Sequence, residues 1–594
     1  MQRWSIVFLS SPRCMGRSGG VEEDMFILGI WDGHDAGAAL LQGDSIIIAV
    51  NEERLSRRKL EVGFPARSIK ACLDYAGLSP VDIKEIAAST FDPAKTLTRM
   101  FPRLKEEYYL IRRRKKRPGG LDSLKKGFKY RFTEYGPNFL SRYFSRDSIM
   151  KECEAMGFRD FRLSLLDHHL CHAHAAARCS GFEEGLVLTL DGLGDGLSGS
   201  ISRFRHGRVE LLKKIPASVS LGVFFEHVTN LMNMRELEDE GKVMALANYA
   251  FPIEDADNPM MDLLHVENLD LVSHYSSMGL FRELKKILWQ YPSEQFAYMA
   301  QKVLEKRVLE LARNALGMIG KTSLAVAGGI FSNIKLNMKL AAMEDVERFY
   351  VFPHMGDGGL AAGAAIWANH ERNGVDRCRL DHLYLGPGVG REGILSSIRG
   401  YGYPFRELGD APETAARMIL KGEILLWFQG RMELGPRALG NRSILARPDD
   451  GTVKDRLNLA LKKRVWYQPF CPSMLKEDAS LLLHTDGQDF RDNPFMTSAF
   501  RVREEHLRLM KGVINIDGTC RPHFVGEENP RFRRLLGALK GTLGKGVVLN
   551  TSLNVHGDPM VCTAEDALET LRKTGVRYLF MEDFLVENKD ALAS

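Results

Sequence analysis

Apolar and polar positions along the chain predict short buried strands that end in glycine-rich turns. From Met25 onward, FILGIWDGHDAGAALLQGDSIIIAVNEER consists of short apolar runs separated by such turns, and Gly43-Asp44 is typical of a hairpin. Further along, EGLVLTLDGLGDG is a continuous apolar run that ends at Asp191. This pattern is expected of a buried strand that presents a carboxylate at its carboxyl end.

The order of strand, glycine turn and helix returns in two further segments. SLAVAGGIFSNIKLNMKL and FYVFPHMGDGGLAAGAAIWA both follow it, and residues 280–319 are predicted to be helical because apolar positions recur at intervals of three and four. Three such units predict an α/β nucleotide-binding architecture, and they leave open whether it is duplicated. No repeat of solenoid period is visible in the sequence.

A change in composition divides the chain into two parts. Around LYLGPGVGREG, residues 383–393, glycine and proline predict a linker, and the later segments EILLWFQG and GVVLNTSLN predict a second α/β domain. We therefore place one domain at residues 25–382 and another at residues 383–594. We predict that residues 1–24, whose apolar patch is too short for a signal-peptide core, are a disordered extension.

Composition and charge indicate in which compartment the protein acts and which classes of partner are excluded. No apolar run reaches the roughly 18 residues that a membrane helix needs, so we expect a soluble chain without a membrane span. The nine cysteines form no CxxC pair, which favours a reducing, cytoplasmic setting over a disulfide framework or a thiolate zinc site. A net charge of +5 is small for 594 residues and does not indicate a nucleic acid as general partner.

One stretch is far more basic than the chain as a whole. Residues 99–131, which contain IRRRKKRPGG, are strongly basic. Such a stretch is typical of a solvated insertion. A docking surface for an anionic acceptor or for a membrane face is the alternative, and the sequence alone does not decide between them.

The segment DHHLCHAHAA contains four of the sixteen histidines. His168 and His172 are four residues apart, so on a helix they project from one face and can bind one cation, whereas His169 and His174 point elsewhere. A hydrogen-bonded structural cluster is the alternative interpretation. Two carboxylates, Asp191 at its strand end and Asp357 in a glycine turn, would complete a nitrogen and oxygen site suited to iron(II), manganese or zinc.

Glycine turns supply candidate phosphate-binding amides. DGLGDG, AGGIFSN and GDGG each leave backbone N–H groups free, two of them at predicted helix starts where the helix dipole favours an anion. Each turn by itself can be explained by backbone geometry alone. Three in this order favour a nucleotide cleft, and the chain has neither a Walker lysine loop nor a GxGxxG after a strand.

The second domain carries its own cluster of cations. GRMELGPRALGNRSILARP contains three arginines among glycines, and LKKRVWYQPFCPS, DGTCRPHFV and NTSLNVHGDP add further basic and polar residues. Guanidinium groups suit bidentate recognition of phosphate or carboxylate, which indicates a small anionic substrate. Surface arginines in ordinary loops are the alternative, weakened by the rigid Gly-Pro setting of Arg437.

These segments together resemble the O-carbamoyltransferases of the nodulation-protein-U, cephalosporin and tobramycin carbamoyltransferase type. The resemblance runs from about Met25 to near the end, and its most specific pieces are GRMELGPRALGNRSILARP, NTSLNVHGDP, GKVMALANYA and HHLCHA, in the family's order. It implies an α/β protein with an actin/sugar-kinase-like domain, similar to threonylcarbamoyl-adenosine transferases, followed by a YrdC-like domain.

The resemblance also implies an activity. In the family, carbamoyl phosphate is cleaved in the YrdC-like domain, its carbamoyl unit meets ATP, and carbamoyl-adenylate forms with loss of pyrophosphate. The adenylate reaches a second site, where a hydroxyl of a small metabolite or glycan attacks and AMP leaves. The implied cofactors are a divalent metal, Fe²⁺ first and Mn²⁺ or Zn²⁺ otherwise, with Mg²⁺ accompanying ATP. A homodimer is the oligomer expected from the family.

Site residues follow from the resemblance position by position. The metal ligands would be His168, His172, Asp191 and Asp357. The nucleotide would contact Gly192, Gly194, Gly328, Gly329, Asn333 and Asp357. Carbamoyl phosphate would bind at Arg431, Arg437, Arg442, Lys462, Arg464, Arg521, Asn550 and Ser552. The catalytic groups would be His34, which would take the acceptor's proton, together with Arg437, Lys462 and Arg464.

Two departures from the family pattern bear on these expectations. In RVWYQPF, Val465 stands where the family has an acid and Gln468 where it has an arginine, so the anion pocket of the second domain is altered. The family's MGLAPYG is here MALANYA. Two other hypotheses therefore stay open: a tRNA-modifying enzyme of the threonylcarbamoyl type, supported only by the basic stretch, and a non-catalytic nucleotide-binding relative.

Overall fold

The computed structural model describes residues 25–113 and 133–589. The predicted extension at residues 1–24 and most of the basic stretch, residues 114–131, lie outside the described residues. The predicted boundary between residues 382 and 383 falls in the connection between two helices, which end at Asn373 and begin at Arg391.

We call residues 25–382 the front lobe and the residues from 383 onward the rear lobe. The first sheet of the front lobe has five strands in the order β3-β2-β1-β4-β5. The first three strands form an antiparallel meander, in which Gly43 and Asp44 make the predicted hairpin turn, and β4 and β5 run parallel to β1. The strands are β1 Ile27–Trp31, β2 Gly37–Gln42, β3 Ser45–Asn51, β4 Glu85–Ser89 and β5 Arg162–Leu166.

The second sheet repeats this topology in the order β8-β7-β6-β11-β12. Its first three strands are again an antiparallel meander, and the last two run parallel to β6. The front lobe is therefore a duplicated α/β unit, which answers the question that the sequence left open. The strands are β6 Glu184–Gly194, β7 Leu197–Arg205, β8 Arg208–Pro216, β11 Thr322–Ala327 and β12 Val346–Val351, with a separate hairpin of β9 His265–Glu267 and β10 Asp270–Val272.

Two alanine-rich helices pack together between the two sheets, because their small side chains permit close approach. A Cβ atom on Gly363 of the second helix would lie 2.3 Å from the carbonyl oxygen of Cys171 in the first. These two are α6 and α12 among the front-lobe helices: α1 Glu52–Ser56, α2 Ala66–Ala76, α3 Pro93–Met100, α4 Pro102–Arg112, α5 Phe139–Ala155, α6 His168–Cys179, α7 Leu221–Leu231, α8 Glu240–Leu246, α9 Ser277–Gln290, α10 Ser293–Ile319, α11 Ile334–Ala341 and α12 Leu360–Asn373. The helix predicted over residues 280–319 is two helices, because Pro292 cannot donate the hydrogen bond that would continue the first.

The rear lobe is built on an eight-stranded sheet in the order β13-β22-β21-β14-β15-β20-β16-β19. Its pairs are mostly antiparallel, and β14 with β21 and β16 with β19 are parallel. The sheet strands are β13 Phe405–Glu407, β14 Leu425–Phe428, β15 Arg442–Ala446, β16 Cys471–Leu475, β19 His523–Val525, β20 Val547–Ser552, β21 Tyr578–Met581 and β22 Phe584–Glu587, and β17 Phe500–Arg501 pairs with β18 Thr519–Cys520.

Helices cover this sheet and enclose two further apolar cores. They are α13 Arg391–Tyr401, α14 Ala411–Leu420, α15 Gly451–Asp455 with a π-helical turn at Arg456–Leu461, α16 Ala479–Leu482, α17 Pro530–Leu543 and α18 Ala564–Thr574. The expected fold class, a mixed α/β lobe followed by a second α/β lobe, is confirmed. No described helix is both long and apolar enough to cross a bilayer.

Candidate active site

The predicted metal ligands come together at the centre of the front lobe. Helix α6 begins at His168 because the Asp167 carboxylate accepts hydrogen bonds from the backbone N–H groups of His169 and Leu170 at 3.0 and 3.2 Å. His168 and His172 therefore share one helix face and point at the end of strand β6. One ligand atom from each of His168, His172, Asp191 and Asp357 lies within 4.8 Å of the others.

The geometry of this cluster suits a divalent cation. The His172 Nε2 is 3.1 Å from the Asp191 Oδ2, and the His168 Nε2 is 3.4 Å from the Asp357 Oδ1. The His168 Nδ1 lies 3.0 Å from the hydroxyl of Thr90, which fixes the ring. The Nε2 of the same ring is buried and has no hydrogen-bond partner among residues 25–113 and 133–589, as expected of a nitrogen that ligates an ion.

The electrostatics show how strongly the four groups interact. Burial lowers the pKa of His168, but the carboxylates of Asp357 and Asp191 outweigh it and raise the pKa to about 9. Burial likewise works against the charged form of Asp191, yet hydrogen bonds from the two imidazoles hold its pKa well below the usual range. A bound cation would replace the protons that otherwise compensate these carboxylates.

The other two histidines of the segment supply no atom to the cluster, as the helical spacing predicts, although the ring centroid of His169 lies 5.1 Å from that of His168. The His169 Nδ1 lies 3.0 Å from the hydroxyl of Thr189, and burial lowers the pKa of His169 well below its usual value. His174 accepts a hydrogen bond from the Arg178 guanidinium at 3.1 Å. Each of the two rings thus has a partner within the lobe, and neither belongs to the four clustered ligands.

His34, the predicted acceptor-site base, adjoins the cluster. It lies in the turn between β1 and β2, and its Nε2 is 3.3 Å from the Asp357 Oδ2. Asp357 thus faces His168 with one carboxylate oxygen and His34 with the other. The His34 side chain keeps 36% of its surface exposed, so it can be reached from solvent.

Of the predicted nucleotide-binding residues, the glycines surround the metal ligands. A Cβ on Gly194 would lie 2.2 Å from the ring of His168, and Gly328 combines a φ of 108° with a Cβ position 2.0 Å from the carbonyl oxygen of Leu190. The Gly192 N–H donates to Asp191 at 2.6 Å, and a Cβ on Gly329 would lie 2.8 Å from the same carboxylate. Gly194 and Gly328 therefore have no room for a Cβ, whereas one on Gly192 would meet only a side-chain oxygen of Glu226 at 3.2 Å.

The side chain of Asn333, unlike the nearby glycines, makes hydrogen bonds within the front lobe. Its side-chain oxygen accepts the N–H of Leu336 at 3.2 Å and so caps helix α11, and its amide nitrogen donates to Gln301 at 2.8 Å. The residue is buried. Contact with a nucleotide stays a prediction for Asn333, and its side-chain oxygen and amide nitrogen already have partners within the lobe.

The rear lobe contains a cavity of about 230 Å³ lined by cations. Seven basic and three acidic side chains line it, so its walls carry an excess of positive charge that suits a small anion. Six of the eight predicted carbamoyl-phosphate residues line it: Arg437, Lys462, Arg464, Arg521, Asn550 and Ser552.

Several polar groups of this cavity have no partner of their own. The Nε of Arg437, one terminal nitrogen of Arg464 and the side-chain oxygen of Gln468 are buried without a hydrogen bond from any residue that the structure describes. Burial and then Arg521 lower the pKa of Arg437 to about 9, which leaves the guanidinium charged at neutral pH. Such groups are expected where a ligand supplies the missing partners.

Lys462 is held at the cavity by the preceding π-helical turn. Its Nζ donates to the backbone oxygen of Ser552 and, at 2.8 Å, to the side-chain oxygen of Asn554. Burial, followed by repulsion from Arg464 and Lys59, lowers the pKa of Lys462 well below its usual value. The ammonium form is therefore the one that an incoming anion would stabilise.

Arg431 and Arg442 lie outside this cavity. The Arg431 guanidinium donates to the carbonyl oxygens of Gly386, Ile47 and Leu385 at 2.7 to 2.9 Å and joins the lobes. Arg442 is fully buried and donates to backbone oxygens of its own loop. The structure thus places both guanidinium groups on backbone carbonyls, away from the other six predicted residues.

Among the cavity residues that the sequence analysis missed are four with a Lys, Arg or His side chain, and three of these belong to the front lobe. Lys59, Arg235 and Lys242 line the rear-lobe cavity from across the lobe junction, and Arg235 contacts the fourth, His556, at 2.8 Å. The motif GKVMALANYA contains Lys242 and was a signal for its importance. Nothing in its spacing pointed to the other lobe.

Gln468 and Val465, the two departures from the family pattern in RVWYQPF, have different surroundings. Gln468, at the position where the resemblance led us to expect an arginine, lines the cavity with a neutral amide. Val465 instead packs against the apolar core of the front lobe. Only Gln468 changes the polar lining of the cavity.

Fold and sites together define a two-lobed α/β enzyme with a histidine–aspartate centre in one lobe and an anion cavity in the other. The chain belongs to the carbamoyltransferase family and is a transferase of that class. The family's N-terminus model matches residues 26–366 and its C-terminus model matches residues 416–588.

Individual relatives agree with this assignment. Nodulation protein NolNO of Sinorhizobium fredii is 32% identical over 97% of this chain and 83% of its own length. The 3'-hydroxymethylcephem-O-carbamoyltransferase of Streptomyces clavuligerus is 32% identical over 56% of this chain and 61% of its own. A crystal structure of HypF from T. kodakarensis overlaps in part, with a TM-score of 0.33 at 13% identity over 60% of this chain and 49% of that one.

Proposed function

We propose that this carbamoyltransferase makes carbamoyl-adenylate from carbamoyl phosphate and ATP and transfers the carbamoyl group to a hydroxyl of a small metabolite or glycan. The observation that carries the proposal is the presence of two separate sites in one chain, a cation-lined cavity and a histidine–aspartate cluster. A carbamate is a poor electrophile until it carries a phosphate leaving group, so one site would form the activated carbamate and the other would transfer its carbamoyl group.

In the rear cavity, Arg437, Lys462 and Arg464 would bind the phosphate of carbamoyl phosphate. The unpartnered nitrogens of Arg437 and Arg464 and the unpartnered side-chain oxygens of Asn550 and Gln468 match the oxygens and the amide of that substrate. The surrounding protein would limit access of water to the carbamate after phosphate leaves.

In the front lobe, His168, His172, Asp191 and Asp357 would hold the divalent cation, for which Fe²⁺, Mn²⁺ and Zn²⁺ all suit nitrogen and oxygen donors. Once bound, the cation would supply positive charge next to the nucleotide phosphates. The buried, unpartnered Nε2 of His168 supports this assignment.

His34 would accept the proton of the acceptor hydroxyl. A proton on its Nε2 would be shared with Asp357 at 3.3 Å, which leaves Nδ1 as the basic nitrogen. As the proton moves to Nδ1, the hydroxyl oxygen bonds to the carbamoyl carbon. The bond from that carbon to the phosphate oxygen then breaks, and AMP leaves with the electron pair.

The proposal is tested by incubating the purified chain with ATP, carbamoyl phosphate and Fe²⁺, Mn²⁺ or Zn²⁺, with Mg²⁺ present. We expect pyrophosphate and carbamoyl-adenylate by mass spectrometry only when both substrates are supplied. Arg437→Lys should abolish both products, whereas Arg447→Lys, a matched change outside the cavity where the arginine pairs with Asp449, should not. Absence of pyrophosphate with all three metals would refute the proposal.

A further inference from the structure

Thr90 has an unusual backbone conformation beside the predicted metal ligands. It directly follows strand β4 and has a φ of 68°, in the left-handed region. Fourteen non-glycine residues among residues 25–113 and 133–589 have a positive φ, and Thr90 is the only one of them with a β-branched side chain. A side chain branched at Cβ fits this region poorly, so such a conformation is retained only where the surrounding structure enforces it.

Hydrogen bonds hold the backbone of Thr90 on both sides. Its N–H donates to the carbonyl oxygen of Leu166 at 2.8 Å. Its own carbonyl oxygen accepts a hydrogen bond from the Arg99 guanidinium at 2.7 Å, and that guanidinium also donates to both carboxylate oxygens of Asp32 at 2.8 and 2.9 Å. Thr90 and Asp32 are both buried. The strained conformation is therefore fixed by interactions with buried partners.

The carboxylate of Asp195 joins this turn to the start of helix α6. One of its oxygens accepts the N–H groups of Phe91 and Asp92, each at 2.8 Å. The other oxygen accepts the N–H of His168, also at 2.8 Å. The turn after β4 and the first residue of α6 are thus bound to one carboxylate, which fixes the position of the Thr90 side chain relative to the imidazole of His168.

The hydroxyl of Thr90 lies between two polar partners. Its oxygen is 3.0 Å from the His168 Nδ1 and 3.1 Å from the hydroxyl oxygen of Ser89, which is fully buried. This row of hydrogen bonds has two orientations. If Nδ1 carries the imidazole proton, it donates to Thr90, Thr90 donates to Ser89, and Nε2 keeps its lone pair. If Thr90 instead donates to Nδ1, the proton of a neutral imidazole is on Nε2, and that nitrogen cannot ligate a cation.

We propose that Thr90 is a positioning residue that keeps the His168 proton on Nδ1 and so leaves Nε2 free to bind the divalent cation. Ser89 supports this orientation, because its oxygen accepts the proton of the Thr90 hydroxyl. Metal-binding histidines commonly donate their second ring N–H to a fixed acceptor, which orients the ring and selects its tautomer. The inference rests on the proposed function, in which His168 is a metal ligand, and adds a residue outside the four clustered ligands.

The test is the affinity of the full chain for Zn²⁺, measured without substrates by competition with a chromophoric chelator. Thr90→Val keeps the shape of the side chain and removes the hydroxyl, so Nδ1 loses its acceptor and Zn²⁺ binding should weaken about ten-fold or more. Thr90→Ser keeps the hydroxyl and should retain the affinity of the unchanged chain. Ser89→Ala removes the acceptor of the Thr90 proton without a change at the strained residue, and it should weaken binding as well.

The matched control is Thr229→Val, a change at another buried threonine of the front lobe, whose hydroxyl donates to the carbonyl oxygen of Phe225 in its own helix α7 at 2.9 Å. It should bind Zn²⁺ like the unchanged chain, and circular dichroism should show every variant folded. Unchanged affinity of Thr90→Val or of Ser89→Ala, equal losses in Thr90→Val and Thr90→Ser, or an equal loss in the control would each overturn this inference alone. Absence of any Zn²⁺ binding that His172→Ala abolishes would overturn it together with the metal assignment.

Discussion

At the scale of single residues, His172 is the most direct test of the candidate metal centre. His172→Ala should remove most bound iron or zinc from the purified protein, because the remaining imidazole and two carboxylates leave one coordination position unfilled. Elemental analysis measures the effect. His174→Ala is the matched control on the same helix, since its ring contacts Arg178, and it should keep its metal. Equal metal content in both variants would contradict the ligand assignment.

Lys462 predicts a pH dependence of anion binding. Its pKa is depressed by burial and by Arg464 and Lys59, so the amine is neutral at a pH above that lowered value. A bound dianion favours the ammonium and raises the pKa again; binding therefore takes up a proton, and affinity falls as pH rises between the two values.

Calorimetry of inorganic phosphate binding at about pH 8, in two buffers of different ionisation enthalpy, measures this proton uptake. Lys462→Met should abolish the uptake and weaken binding. Lys463→Met, a change at the exposed neighbouring residue, should preserve both. Binding without proton uptake in the unchanged chain would show that Lys462 is already charged.

A site residue could be assigned from the sequence where the interval between residues determines the direction of their side chains. The interval of four between His168 and His172 places both rings on one face of a helix, and the structure has them there. Arginines in loops have no such constraint. Arg437 points into the cavity whereas Arg431 and Arg442 donate to backbone carbonyls, and only the folded chain separates these cases.

At the scale of elements, the end of strand β6 positions the start of helix α6. A Cβ on Gly194 would lie 2.2 Å from the His168 ring, whereas one on Gly192 would meet only a flexible side-chain oxygen of Glu226 at 3.2 Å. Gly194→Ala should therefore displace the imidazole and lower metal content by most of its value, and Gly192→Ala should lower it little. Elemental analysis of the two folded variants decides this; identical losses would mean that β6 does not position α6.

The strands and glycine turns were predictable because buried apolar runs and turn glycines are local signals. The ends of the helices were harder to predict. The periodic pattern over residues 280–319 continues through a break at Pro292. Asn333 was predicted to contact a nucleotide, and the structure shows in addition that it caps helix α11. A cap and a ligand contact use the same side-chain oxygen, so the sequence alone cannot separate them.

At the scale of the whole molecule, Arg431 and Arg437 should differ in what they stabilise. Arg431→Lys leaves carbonyl oxygens at the lobe junction without donors, which should lower the free energy of unfolding by roughly 3 kcal/mol and leave phosphate affinity of the folded protein unchanged. Arg437→Lys should weaken phosphate binding about ten-fold or more and change stability little. Thermal unfolding and calorimetry measure the two quantities, and a loss of affinity in Arg431→Lys would return that residue to the binding site.

The sequence indicated two α/β lobes, and it indicated to which lobe each main motif belongs. The front-lobe wall of the rear cavity was not. Lys59 and Arg235 precede the residues that they face by hundreds of positions, and no local pattern of charge or hydrophobicity encodes a contact across that separation.

That shared wall has a consequence for engineering chimeras. An exchange of complete front lobes between relatives would also replace Lys59, Arg235 and Lys242 and so alter the lining of the rear cavity. A working hybrid would need these three side chains, and the contact of Arg235 with His556, kept from the parent that supplies the rear lobe. The front lobe and the lining of the rear cavity are therefore exchanged together unless these three residues are retained.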